Sequence, residues 1–251
     1  FIIYNIILHI SKFILQLLSL FNSKINLGVI GRQETFDRLN KSINTNEKTI
    51  WFHCASLGEY EQGLPLFIEL KKKYSEHKMV LSFFSPSGYE AKKESSIADI
   101  VVYLPVDSKS NCKRFLDLIN PEIVVFVKSE IWPNYLNEIE KRKIKSLLIC
   151  AVYSTSQMKY SILKKAVLKF DYIFTQDEKS KDLFKSIGHN NVINSGDTRF
   201  DRVSLSKNLN EDVDYIKEFL SEKDCLIAGS SWGDDHKMIV NYINTSNSEL
   251  K

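Results

Sequence analysis

The sequence predicts a doubly wound α/β domain built on a parallel sheet, followed by the start of a second such domain. Three observations predict it. From residue 49 onward, short apolar runs alternate regularly with amphipathic segments. Those runs are rich in Ile, Val, Leu and Phe with little polar alternation, as expected of strands covered on both faces. Near residue 203 the pattern gives way to a polar, turn-prone stretch and then restarts. Regular strand–helix alternation implies parallel pairing through right-handed crossovers.

Before the alternation begins, Phe1 to Phe21 reads FIIYNIILHISKFILQLLSLF. At about 1.5 Å per residue such a helix reaches across roughly 30 Å of hydrocarbon. However, Asn5, His9, Lys12, Gln16 and Ser19 fall on one narrow stripe, and Ser11 alone lies outside it. A single polar stripe suits a helix lying in a membrane interface better than one that spans. Docking on the protein's own domain is the plainer alternative. No small-residue cleavage site follows, which argues against a secretory signal. The formal charge of the 251 residues is +3, and Lys12, Lys24 and Arg32 are the charged residues of segment 1–33, so the remainder is neutral. A neutral body does not fit a nucleic-acid binder, whereas a basic flank suits anionic headgroups.

The strands are expected at Thr49–Ala55, Met79–Phe84, Ile100–Leu104, Ile123–Val127, Ser146–Val152, Tyr172–Thr175 and Val192–Asn194. Helices fit between them at about Glu59–Tyr74, Ser87–Glu94, Ser108–Ile119, Trp132–Arg142, Ser156–Lys169 and Glu178–Ile187. Asp107 and Asp177 read as N-caps, Pro133 as a first-turn residue and Gly188 as a stop. A polar linker follows over 203–211, then a helix near Asp212–Ser221. Cys225–Ala228 reads as a new strand, Gly229-Ser230-Ser231 as its turn, and a helix starts near Asp234. One strand and one helix bury no core of their own, so most of a second domain is expected beyond them. The segments are thus 1–33, an anchor; 34–202, a complete domain; 203–222, linker and helix; and 223–251, the start of a truncated second domain.

Cys54, Cys112, Cys150 and Cys225 form no CxxC, and the five His no HxxxH. Cys54, Cys150 and Cys225 sit in strand-like runs, where free thiols act as small hydrophobes, so a reducing compartment is expected and no metal site. There is no Walker A loop and no GxGxxG, which leaves ATP and dinucleotide roles unsupported and no cofactor implied. Ser56 lacks the Gly-x-Ser-x-Gly context of a serine hydrolase.

In a doubly wound sheet the ligand crevice lies beyond the strand ends where the strand order reverses. For the order 3-2-1-4-5, the loops Ser56-Leu57-Gly58-Glu59 and Lys128-Ser129-Glu130-Ile131-Trp132-Pro133-Asn134 face each other there. Each carries a carboxylate, Glu59 or Glu130, and paired carboxylates suit general-base chemistry. A first-turn Glu is also an ordinary complement to the helix dipole. Ser85-Pro86-Ser87-Gly88 offers hydroxyls and backbone N–H groups for a phosphate or sugar, or simply caps a helix. Arg199, in Gly196-Asp197-Thr198-Arg199, is placed either to meet an anionic ligand or in a surface turn.

Taken together, His53-Cys54-Ala55-Ser56-Leu57-Gly58-Glu59, Ser85-Pro86-Ser87-Gly88, Leu104-Pro105-Val106-Asp107, Glu130-Ile131-Trp132-Pro133-Asn134 and Gly196-Asp197-Thr198-Arg199-Phe200-Asp201 resemble the 3-deoxy-D-manno-octulosonic acid (Kdo) transferases of lipopolysaccharide synthesis. The resemblance covers essentially the whole chain. It implies a GT-B glycosyltransferase with two Rossmann-like domains, moving Kdo from CMP-Kdo to a lipid A precursor (lipid IVA) at the cytoplasmic face of the inner membrane. It implies Glu59 as general base and Glu130 as a residue shaping the site and binding acceptor. Ser56, Gly58, Ser85, Ser87, Gly88, Trp132 and Asn134 are then candidates for substrate contacts. Arg199 keeps a positive charge where the family often has Lys, and Gly229, Ser230 and Ser231 match the start of a donor-binding Gly-Ser-Thr-His turn. Trp232 departs from the His of that turn, with Asp234 and Asp235 near its acidic pair. Cys150 and Val152 stand where many members have Asn and Arg. Lacking most of the donor domain, the chain alone is expected to be inactive. The competing readings are another GT-B transferase acting on a lipid-linked sugar, and a non-catalytic membrane-associated α/β binding module.

Overall fold

The structure, a computed structural model, describes residues 2–44, 47–206, 215–220 and 225–246. It divides into two units, residues 1–206 and 207–251, each taken by itself.

The first unit opens with two helices, α1 (Ile2–Ser19) and α2 (Ser23–Ser42), joined at Asn22, whose side chain accepts from the Ile25 N–H at 3.1 Å. Strands and helices then alternate: β1 (Thr49–Cys54), α3 (Leu57–Lys73), β2 (Lys78–Phe83), α4 (Pro86–Lys92), β3 (Ile100–Tyr103), α5 (Lys109–Ile119) and β4 (Pro121–Val127). They continue through α6 (Pro133–Lys141), β5 (Lys145–Ala151), α7 (Ser161–Val167), β6 (Tyr172–Thr175), α8 (Glu178–Ser186), β7 (Val192–Asn194) and α9 (Arg199–Ser206). All seven strands pair in parallel in the order β3-β2-β1-β4-β5-β6-β7. The order reverses between β1 and β4, as the sequence predicts. The fold is α/β of GT-B type.

Two cores flank the sheet. On one face Trp51, Phe126 and Leu148 pack with Leu39 of α2, Phe115 of α5, Tyr135 of α6 and Phe184 of α8. On the other, Phe52, Leu81 and Val125 pack with Tyr60 and Phe67 of α3 and Tyr89 of α4. The six residues of β1 are all buried, which explains why its sequence shows no polar alternation.

Several elements differ from expectation. α2 runs across the 33/34 boundary and belongs to the domain: Gly31 sits against the Tyr103 ring, and Thr35 Oγ1 donates to the Tyr103 carbonyl at 2.8 Å. Asp107 does not cap the helix that follows it. Ser108 does, accepting from Asn111 N at 3.3 Å. Asp107 instead reaches α6 and accepts from Asn134 N at 3.0 Å and Tyr135 N at 2.9 Å, where the N-cap residue Trp132 supplies no side-chain cap of its own. Asp177 and Gly188 act as expected: Asp177 accepts from Ser180 N at 2.6 Å, and Gly188 ends α8 at φ +100°. The helix expected over Ser156–Lys169 breaks at Tyr160 into a 3₁₀ turn, Gln157–Lys159, and α7. There the Gln157 side chain accepts from Ser154 N at 2.8 Å, competing with helical bonding. α9 continues through Ser206, into the stretch expected as linker.

α1 has three sectors. Tyr4, Leu8, Ser11, Leu15 and Ser19 form the half-buried seam toward the domain. The polar stripe flanks that seam: Asn5 accepts from Asn134 Nδ2 at 3.0 Å, while His9, Lys12 and Gln16 are exposed. The remaining sector, with Ile6, Ile10, Phe13, Ile14 and Leu17, is apolar and open, Phe13 at 62% exposure. Among the described residues no helix is long and apolar enough to cross a membrane.

In the second unit, α10 (Ile216–Leu220) occupies part of the helix expected at Asp212–Ser221; residues 207–214 and 221–224 lie outside the described ones. Residues 225–228, expected as a strand, are not in one: among the described residues the second unit has no other strand to complete a ladder, and Cys225 is exposed. α11 (Gly233–Thr245) follows, its start held by Asp235 Oδ2 accepting from Trp232 N at 2.8 Å.

Candidate active site

The loops that follow β1 and β4 flank the point where the strand order reverses. β1 delivers Ser56 and Glu59 at the start of α3. β4 delivers Lys128, Ser129 and Glu130 before α6. β2 delivers Ser85, Ser87 and Gly88 at the start of α4. The two helix starts touch: a side-chain carbon on Gly88 would lie 2.6 Å from the Phe83 ring and 3.1 Å from Leu57 N. Glycine is therefore what lets α4 approach α3, and both helix N-termini open on the same end of the sheet, where anionic groups are favoured.

Glu59 closes a capping box. Its Oε2 accepts from the N–H of Ala55 and, at 3.3 Å, from that of Ser56. The capping role is thus real, yet it does not exhaust the residue. Glu59 is 9% exposed and Glu130 8%. Burial, then the charge of Glu130, pushes the Glu59 carboxyl up to about 7, against the pull of the two backbone N–H groups and of Lys128. Such a group exchanges a proton near neutrality. Burial, with the charges of Glu59 and Glu130 added to it, raises the Cys54 thiol and the Tyr153 hydroxyl above their ordinary values, so neither acts as an anion.

Glu130 Oε2 accepts from Trp132 Nε1 at 2.8 Å and lies 2.9 Å from His53 Nε2. Trp132 lies over Phe84, ring centres 5.1 Å apart. Ser85 caps α4, accepting from Gly88 N at 3.2 Å, and its hydroxyl meets that of Ser87 at 3.1 Å. Gly58 is exposed on the first turn of α3.

Two candidates are placed otherwise. Asn134 is buried and turned toward α1, its Nδ2 donating to the Asp107 carbonyl at 2.5 Å and to Asn5. Arg199 is 67% exposed and pairs with Asp197 at 2.5 Å. The segment carrying it is fixed on unit 1, with Gly196 at φ +80°, Thr198 Oγ1 donating to the Gln62 carbonyl at 2.7 Å and Arg202 pairing with Glu61. Gly229, Ser230 and Ser231 belong to the second unit, where Ser231 Oγ lies 2.9 Å from His236 Nε2. Among the described residues no group of three or more His, Cys, Asp or Glu is placed to hold a metal ion.

Sequence reasoning gave no role to His53, Ser82, Lys128 or Tyr153. The signal for His53 was present: a polar residue inside an apolar strand, two residues from Trp51 and so on the same face. Lys128 and Cys150 occupy left-handed backbone, at φ 66° and 54°, and sequence patterning carries no sign of it.

The site is thus a carboxyl held near neutrality at the switch point of a doubly wound parallel sheet. Comparison with known proteins gives its family. The family described as 3-deoxy-D-manno-octulosonic-acid transferase (kdotransferase) matches residues 31–202, and the chain belongs to it. Among relatives, a 3-deoxy-D-manno-octulosonic acid transferase of Aquifex aeolicus is 32% identical over 64% of this chain and 43% of its own length. A bifunctional glycosyltransferase/methyltransferase of Fusobacterium nucleatum is 29% identical over 78% and 32%. A 3-deoxy-D-manno-octulosonic acid transferase of Haemophilus influenzae is 25% identical over 70% and 41%. The chain spans less than half the length of these curated relatives. Among solved structures, a putative UDP-N-acetylglucosamine 2-epimerase from Listeria monocytogenes shares the fold at a TM-score of 0.53, with 13% identity, over 71% of this chain and 53% of that one.

Proposed function

We propose that the protein transfers Kdo from CMP-Kdo to the glucosamine disaccharide of a lipid A precursor such as lipid IVA, and that this chain supplies the acceptor side. The observation that carries the reading is Glu59: a buried carboxyl held near neutrality, at the switch point, in the loop that matches the family. Its Oε2 is occupied by backbone N–H groups, which leaves Oε1 for an acceptor hydroxyl. Oε1 takes the hydroxyl proton as that oxygen attacks the anomeric carbon of Kdo. The bond from that carbon to the CMP phosphate breaks, and CMP leaves with the electron pair. Glu130 and Trp132 shape the acceptor wall; Ser56, Gly58, Ser85, Ser87 and Gly88 line the approach. Arg199 lies on the segment leading to the second unit, where Gly229, Ser230 and Ser231 are assigned to the donor. No cofactor is needed for this displacement.

The open apolar sector of α1, flanked by Lys12 and Gln16, supports seating on an anionic bilayer in which the acceptor resides, at the cytoplasmic face of the inner membrane. The test is a transfer assay on the protein expressed from its own gene, with CMP-Kdo and lipid IVA. Transfer is expected, falling by about 10²–10⁴ in Glu59→Gln. Full activity in that variant would remove Glu59 as the base. A wild-type protein that binds lipid IVA but transfers a different sugar would overturn the Kdo assignment.

A further inference from the structure

A buried hydrogen-bond relay runs from the interior of the sheet to Glu130. Trp51 and His53 share one face of β1, and Ser82 is the register partner of His53 on β2. Trp51 Nε1 donates to Ser82 Oγ at 2.7 Å. Ser82 Oγ lies 2.9 Å from His53 Nδ1, and His53 Nε2 lies 2.9 Å from Glu130 Oε2. The imidazole is wholly buried, with Phe126 and Trp132 edge-on at 5.7 and 5.8 Å between ring centres. Trp51, Ser82 and His53 are wholly buried, and only the Glu130 end of the relay reaches the site.

The direction of the relay follows from donor chemistry. An indole N–H only donates. Trp132 Nε1 donates to Glu130 Oε2, and against an ionised carboxylate, which only accepts, His53 Nε2 is the atom that brings the hydrogen to their contact. At the other end, Trp51 Nε1 makes Ser82 Oγ an acceptor, so the serine hydrogen is free to point elsewhere. His53 Nδ1 at 2.9 Å is a closer target than the Phe52 carbonyl at 3.5 Å. The Ser82 carbonyl, 3.1 Å from Nδ1, is the competitor that would favour a hydrogen on that nitrogen instead.

We propose that His53 is a positioning residue for Glu130, and that Trp51 and Ser82 hold its imidazole in the Nε2–H tautomer that donates to the Glu130 carboxylate. The relay then fixes the rotamer of Glu130, and so where its negative charge stands relative to Glu59. Its consequence for catalysis rests on the transferase reading above, whereas the relay itself does not.

The first measurement is ¹⁵N NMR of histidine-labelled protein. His53 is expected to show a protonated Nε2 and a hydrogen-accepting Nδ1, and Ser82→Ala is expected to shift population toward Nδ1–H. A hydrogen on Nδ1 in the wild type, or an unchanged distribution in Ser82→Ala, would overturn the relay whether or not the protein transfers Kdo. The second measurement is turnover. His53→Leu removes one bond to a charged group and is expected to lower kcat by about ten- to a hundredfold. His53→Gln, whose amide N–H reaches the place of Nε2, is expected to recover most of that loss. Equal loss in both folded variants would show that His53 fills space rather than positions Glu130. Should His53→Leu fail to fold, the Ser82→Ala spectrum decides.

Discussion

At the scale of the residue, Glu59 is asked to do two things that oppose each other. A carboxyl whose folded-state value is about 7, against 4.5 in the unfolded chain, keeps its proton in the fold where the unfolded chain has lost it. Stability contributed by that proton is present below pH 4.5 and is lost as pH rises toward 7, by roughly 3 kcal/mol in all. In the proposed role catalysis runs the other way, since a general base works only once its proton is gone. Glu59→Gln keeps an acceptor for the Ala55 and Ser56 N–H groups and removes the ionisation. It is therefore expected to melt higher than wild type at pH 8 and equally at pH 4, while turnover falls by the about 10²–10⁴ given above. Thermal melts at the two pH values check the first half. The wild-type rate is expected to climb through about pH 7 and then level off. A variant that melts lower at pH 8 would mean that burial of Glu59 is not costly.

At the scale of the element, one carboxylate joins three pieces. Asp107 caps α6, accepts from Tyr4 Oη of α1 at 2.7 Å, and receives the Cys112 thiol of α5 at 3.2 Å. Burial raises its own carboxyl and the Tyr4 hydroxyl above their usual values. Asp107→Ala strips the cap from the helix that carries Trp132 at its entrance and leaves two buried N–H groups unpaired. The expected cost is about 2–4 kcal/mol, read by denaturant titration, with loosening of α1 read by proteolysis at its N-terminal end. Much of this was legible in the sequence and some was not. Parallel strands, their order and the carboxylates of the two facing loops followed from apolar runs and from the switch-point rule. Asp107 was recognisable as a cap, but its helix was misassigned, because capping across space leaves no mark in local spacing. α2 went unread because its buried face is carried by Gly28, Thr35 and Leu39, a pattern too sparse for periodicity. Cys225–Ala228 had the composition of a strand, but composition cannot supply the neighbour that a strand requires.

At the scale of the whole molecule, the cost of leaving an apolar helix face uncovered needs an explanation, and a bilayer is the one proposed. Phe13→Asp combined with Leu17→Asp alters only side chains open to solvent, so circular dichroism is expected to be unchanged. Binding to phosphatidylglycerol vesicles, read by flotation, is expected to fall by roughly tenfold or more. Undiminished binding would mean that this sector is not what seats the protein on lipid. The tie made by Asp107 then acquires a further meaning. The helix that would rest on the lipid and the helix that follows the Glu130 loop are braced on one side chain. On the proposed bilayer seat, a reaction centre so braced would ride at a set height above the headgroups. It would discriminate among lipid-linked sugars by how far their hydroxyls stand from the bilayer, a ruler rather than a lock.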